Sequence, residues 1–99
     1  MFAVVREATY DTKKKASGSK QMEEFARTLA QQKGYRGRVI VEAGDGRTLS
    51  LVLWESKEQQ EAASAKLAPE VERLLSPLWM TPARVVGSGE VSHNDLTKS

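Results

Sequence analysis

The chain contains no cysteine, one histidine and three prolines in 99 residues. Without cysteine there are no disulfides, no thiolate metal ligands and no cysteine nucleophile. That composition fits a reducing compartment, and the expected location is cytoplasmic. The single histidine, His93, lies near the C-terminus. A nucleophilic triad needs a histidine held beside its serine, so that chemistry lacks a part. A metal centre needs clustered donors. The acidic pair Glu23-Glu24 is explained instead by the positive end of a helix, so no metal and no resident cofactor is expected. No apolar run approaches the ~20 residues of a membrane span. The N-terminus also lacks the basic stretch and apolar core of a secretory signal.

Charge of one sign is scarce as well. Fifteen Lys and Arg stand against 13 Asp and Glu. Nucleic-acid recognition wants a concentrated basic face, and the only basic run, Lys13–Lys15, reads as a solvated loop. Gly44-Asp45-Gly46 is not a phosphate loop, because neither the Walker nor the dinucleotide spacing follows it. The expectation is one domain over residues 1–91, followed by a flexible polar tail over 92–99.

What the chain does contain is periodicity. Phe2–Tyr10 (FAVVREATY) is β-branched and aromatic and reads as a strand. Its residues Phe2, Val4, Arg6, Ala8 and Tyr10 share one face. After a polar loop over Asp11–Gly18, Met22, Phe25, Ala26 and Leu29 recur at helical spacing, and Gly34 closes that helix. Arg38–Ala63 (RVIVEAGDGRTLSLVLWESKEQQEAA) carries most of the architecture. Arg38–Ala43 and Thr48–Trp54 are strands joined by a tight Gly-Asp-Gly reversal. Ser56 and Gln59 form a capping box that starts the next helix. Pro69 suits the first turn of a renewed helix, PEVERLLSPLW, and Pro77 and Pro82 end it. Ala83–Val91 is a fourth strand, with Gly87 and Gly89 suggesting a bulge or a close backbone approach.

The order β-α-β-β-α-β specifies an α+β, ferredoxin-like fold with a four-stranded antiparallel sheet and its helices on one face. Leu49, Leu51 and Leu53 are the most apolar alternation of the third strand and are expected to face the helices. Ser50, Val52 and Trp54 then fall on the other face, which the remaining strands also make apolar. A sheet open to water alternates more cleanly than this. A second copy of the chain is therefore the expected cover, through a twofold interface.

The element order, with LVLWESKEQQEAA joining the third strand to the second helix, resembles the antibiotic-biosynthesis-monooxygenase-like family of the dimeric α+β barrel superfamily. The resemblance spans about Met1–Val91. It implies a homodimeric barrel with a small-molecule pocket. It also implies that cofactor-independent monooxygenation of an aromatic or phenolic substrate is within the fold's reach. Haem-degrading members carry a histidine on the second helix and an asparagine on the first strand. This chain has no histidine on that helix and has Arg6 on that strand, so haem chemistry is disfavoured.

Four residues are candidates for contact with an aromatic ligand: Arg6, Tyr10, Ser50 and Trp54. Trp54 offers a stacking surface and Arg6 a cation for a phenolate or enolate. Each has a plainer reading. Trp54 is a packing residue at the sheet edge, and Arg6 pairs with Glu7, Glu42 or Glu90. Three functional readings remain open: a barrel dimer with a ligand pocket, a cofactor-independent oxygenase, and a non-catalytic structural or regulatory dimer. A dry cavity of ~300 Å³ or more beside Trp54 separates the first two from the third.

Overall fold

The computed structural model describes residues Met1–Asp95. Four strands form one antiparallel sheet: β1 (Phe2–Tyr10), β2 (Tyr35–Gly44), β3 (Arg47–Trp54) and β4 (Trp79–Glu90). Their spatial order is β2-β3-β1-β4, so β1 and β3 are central and β2 and β4 are edges. Three α-helices accompany them: α1 (Thr12–Ser17), α2 (Ser19–Ala30) and α3 (Lys57–Glu70). This is the ferredoxin-like α+β arrangement expected from the element order.

The hairpin between β2 and β3 turns on Gly44, Asp45 and Gly46, whose φ angles are 96°, 54° and 82°. Left-handed backbone costs glycine little and asparagine or aspartate less than other residues. The composition of this turn therefore selects its shape. At the start of α3 the Ser56 side chain accepts a hydrogen bond from the Gln59 amide at 3.2 Å, as the capping box requires.

Four local features depart from the expectations. The stretch after β1 is helical over Thr12–Ser17 instead of a loop. Asp11 caps it by accepting from the amides of Lys13 and Lys14 at 3.0 and 3.1 Å, so Lys14 and Lys15 occupy its last turn. Pro69 does not restart a helix but lies inside α3. Directly after α3 the chain widens into a π-helical turn, Val71–Leu75, and then a short 3₁₀ turn, Ser76–Leu78. The fourth strand begins at Trp79, ahead of Ala83, and Pro82 lies within it. It is tolerated there because β4 is an edge and its register with β1 shifts between Thr81 and Arg84. A second shift, between Val85 and Gly87, is the bulge that the glycines announce. Of the expected polar tail, residues 96–99 lie outside the described residues.

The fourth departure concerns the faces of the sheet. Register pairs Phe2 with Trp54, Val4 with Val52, Arg6 with Ser50 and Ala8 with Thr48. Phe2, Val4, Val52 and Trp54 pack with Leu29 of α2 and with Ala63 and Leu67 of α3. Thr48, Ser50, Val52 and Trp54 therefore face the helices, and Leu49, Leu51 and Leu53 face away. This reverses the assignment drawn from hydrophobic alternation. The most apolar row of β3 is not the row that the helices cover.

Candidate functional site

The helix-facing row of β1 reads apolar, apolar, arginine, apolar, apolar. Phe2 and Val4 belong to one core cluster with Val52, Trp54, Leu29, Ala63 and Leu67. Ala8 and Tyr10 belong to a second cluster with Leu78, against which Met22, Trp79 and Ala83 pack. Arg6 lies between the two. A guanidinium cannot join an apolar cluster without losing hydration, and the core stays divided at that point. The gap is a cavity of about 400 Å³ between sheet and helices. That lies within the usual range of small-molecule sites.

The floor of the cavity is polar at its centre. Arg6 stands directly opposite Ser50 on β3, and Ser50 in turn is paired with Ile40 on β2. Neither the Arg6 nor the Ser50 side chain has a hydrogen-bond or ion-pair partner among the described residues. Burial pushes the Arg6 pKa below its ordinary value, but a guanidinium starts so high that it stays charged. The three carboxylates that sequence reasoning offered as partners are not with it. Glu7 points to the other face of the sheet. There it accepts from Arg47 Nε at 2.7 Å and from Arg84 Nη2 at 3.0 Å. Those contacts, the one from Arg47 first, hold its carboxyl below the usual range. Glu42 takes Lys15 Nζ at 2.6 Å, which lowers its pKa in the same way. Glu90 lies at the far end of β4, opposite Phe2.

The walls are apolar and aromatic. Trp54 is 3% exposed and meets Tyr35 edge to face, with ring centroids 5.9 Å apart. Phe25, Leu67, Val71 and Leu75 contribute from α2, α3 and the π-turn. Turns of this kind are often retained at functional positions, and here the Leu74 carbonyl receives a hydrogen bond from Gln21 Nε2 of α2 at 3.3 Å. Tyr10 and Trp79 close the opposite end, and register pairs them across β1 and β4. The indole N–H groups of Trp54 and Trp79 are both buried without an acceptor among the described residues. Beside the opening, α1 reaches β2 through the Lys15–Glu42 pair, and Lys15 Nζ stands 5.1 Å from the centre of the Tyr10 ring.

All four sequence candidates, Arg6, Tyr10, Ser50 and Trp54, line this one cavity. They do so from the helix side of the sheet, not from the face expected to meet a second copy. Three contributors were not foreseen. Arg38 and the Lys15–Glu42 pair depend on the β2–β3 register and on α1, and Trp79 depends on where β4 begins. Arg38 had one visible signal: it alternates with Ile40 and Glu42 on the row that faces Ser50. Among the described residues no group of three His, Cys, Asp or Glu is placed to hold a metal ion. No helix there is long and apolar enough to cross a membrane.

No family model matches the sequence, and no curated protein matches it. Solved structures do match. The fold is that of the antibiotic-biosynthesis-monooxygenase structures. A variant of SnoaB, a cofactor-independent oxygenase from Streptomyces nogalater, superposes with a TM-score of 0.73. It is 15% identical, and the match covers 94% of each chain. The NE2512 protein of unknown function from Nitrosomonas europaea gives a TM-score of 0.77 at 10% identity, covering 99% of this chain and 95% of that one. A structure described as an antibiotic biosynthesis monooxygenase gives 0.74 at 12% identity, covering 92% and 98%. At such identities the likeness establishes the architecture and leaves the activity of this chain unassigned.

Proposed function

We propose that the chain is a homodimeric α+β barrel protein that binds a small aromatic molecule in its helix-side cavity. One observation carries the reading: the cavity of about 400 Å³ has aromatic walls and, at its centre, a half-buried arginine whose side chain has no counter-ion among the described residues. A purely structural core gains nothing from such a gap, since an empty cavity forfeits contacts and a desolvated cation costs free energy. A site that must hold a ligand needs both. Titration with two-ring aromatic compounds, followed by tryptophan fluorescence, tests this. The expected result is saturable quenching that Ser50→Phe abolishes by filling the cavity. Quenching unaffected by that substitution contradicts it.

The dimer rests on the opposite face. Val39 and Val41 are 42% and 49% exposed there. They stand beside Leu51 and Leu49 in the register, with Val5 next in line on β1. This apolar strip, bordered on β1 by the Glu7–Arg47–Arg84 charges, is of the kind that monomers avoid and twofold interfaces use. Sedimentation at micromolar concentration is expected to give twice the monomer mass.

A second reading, cofactor-independent monooxygenation of a phenolic substrate, is favoured by Trp54 on the cavity wall and by the fold shared with SnoaB. Such chemistry asks the protein for shape, donors and exclusion of water. Oxygen uptake with a panel of phenols and quinols decides it: Trp54→Ala lowers the rate if the cavity is the reaction site. Equally slow uptake by both proteins defeats the enzyme reading and leaves the binding reading intact.

A further inference from the structure

We infer that the ligand is an aromatic monocarboxylate, bound by a fork of Arg6 and Ser50; this rests on the small-molecule reading above and specifies its ligand class. The argument starts from charge. The titratable groups lining the cavity are Arg6, Glu7, Tyr10, Lys15, Arg38 and Glu42. Lys15 and Glu42 neutralise each other at 2.6 Å. The Glu7 carboxylate is committed to Arg47 and Arg84 on the far side of the sheet. Two cations remain, Arg6 on the floor and Arg38, exposed, on β2, with no described residue bonded to either. The cavity therefore presents net positive charge to whatever enters.

The geometry then selects the form of the anion. A guanidinium offers parallel N–H donors that match the two oxygens of a carboxylate. Ser50 is the directly opposed residue on β3, and such cross-strand neighbours hold their Cβ atoms about 5 Å apart. Its uncommitted hydroxyl is thus placed to donate to the same carboxylate. On the cavity floor the half-buried Arg6 guanidinium balances one negative charge, because Arg38 is exposed and its charge is screened by water. A phosphate monoester would bring nearly two, with a hydration shell that apolar walls cannot replace. The rest of the cavity sets the body of the ligand. Trp54, Phe25, Tyr10 and Trp79 surround the polar centre with aromatic surface, and the volume admits two or three fused rings.

Neither partner of this fork titrates near neutrality. Carboxylates lose their charge near pH 4 and arginine keeps its charge throughout. Affinity for an aromatic carboxylate should be flat from about pH 6 to 9. Affinity for a phenol should rise toward the alkaline end, where the phenol ionises.

The test compares naphthoate with its neutral near-isostere naphthamide and with naphthol, by calorimetric titration of the full chain. Naphthoate should bind about tenfold or more tightly than naphthamide, with no pH dependence across that range. Arg6→Gln should weaken naphthoate by about tenfold to a hundredfold while leaving naphthamide within about threefold. Arg6→Lys, which keeps the charge and loses the fork, should fall between them. Ser50→Ala supplies an independent check and should weaken naphthoate selectively. Equal affinity for naphthoate and naphthamide, or naphthoate binding indifferent to Arg6→Gln, overturns the carboxylate assignment while the cavity keeps its ligand-binding role. Affinity that grows with pH for naphthol and exceeds that for naphthoate assigns the site to phenolates instead. Absence of binding by all three overturns the small-molecule reading itself.

Discussion

The two faces of this sheet share a backbone and differ in almost everything else. The helix-facing row of β3 is Thr48, Ser50, Val52 and Trp54, half of it hydroxylated, and it stands opposite an arginine. The outward row is Leu49, Leu51 and Leu53, flanked by Val39 and Val41. The more polar row is the one under the helices, and the greasier row is only partly covered in a single chain: Leu53 is 7% exposed, but Leu49 and Leu51 are half-buried and Val39 and Val41 beside them are exposed. Apolar character alone thus does not tell which face the helices cover. Helices cover one face loosely, over a cavity that needs polar groups. The other face carries an exposed apolar strip at Val39 and Val41 beside Leu51 and Leu49.

That contrast can be broken experimentally at either side. The largest effect is expected in the packed part of the helix-facing layer. Leu67 is 6% exposed in the cluster with Val4, Val52 and Trp54. Leu67→Ala should cost about 2–5 kcal/mol in urea unfolding. Leu49→Ala, on the outward face, should cost well under half of that in dilute solution, where no second copy is present. Equal losses would mean that the outward leucines already belong to the core of the single chain.

Next in size is a charge on the outward face. Val39→Asp leaves a half-exposed position able to hydrate its carboxylate in the monomer but places it in any twofold interface. The dimer dissociation constant should rise about a hundredfold, equivalent to roughly 3 kcal/mol. Sedimentation velocity reads this, with circular dichroism unchanged. An unaltered sedimentation coefficient would remove this face from the assembly.

Smaller, and of opposite sign, is the effect of emptying the helix-side face of its charge. Arg6 is desolvated without a partner among the described residues. Arg6→Met should therefore raise stability by about 0.5–2 kcal/mol, as replacing groups kept for function often does. For a chain of this size that is a few degrees or more in Tm. A lowered Tm would mean that Arg6 is structural.

The smallest effect is a pH slope. Glu7 sits between Arg47 and Arg84 on the outward face, and its pKa is lowered by those contacts. A carboxylate with a lowered folded-state pKa contributes stability above its unfolded pKa and loses it as pH falls through the folded value. Wild-type Tm should thus decline below about pH 4.5 more steeply than that of Glu7→Gln. Because all three groups are near the surface, the difference should shrink as salt is added.

Much of this was legible in the residues, for identifiable reasons. Strand and helix periods, the Gly44–Gly46 turn and the Ser56 cap are local, so the element order followed from them. Arg6 and Ser50 stood out as polar residues inside apolar strands; the face of Arg6 was left open by its strand's two apolar rows, and only the third strand, with Ser50 and Trp54, was assigned to the wrong face. The error itself came from treating the greasiest row as core. Only the register that puts Trp54 against Phe2 reveals that β3 turns its leucines outward. Lys15 and Glu42 are 27 positions apart, and no local pattern links them. The helix at Thr12–Ser17 was hidden by its lysines, which read as solvated loop until Asp11 is seen to cap them. Trp79 entered the cavity because β4 starts four residues earlier than Ala83, across a proline that only an edge strand accepts.

The division of labour between the faces is tested most directly by a residue-resolved NMR titration with naphthoate. Perturbed resonances should map to Arg6, Ser50 and the two indole N–H groups of Trp54 and Trp79, with Val39, Val41, Leu49 and Leu51 unmoved. Perturbations gathered on those four outward residues, with the indole signals unchanged, would contradict the account.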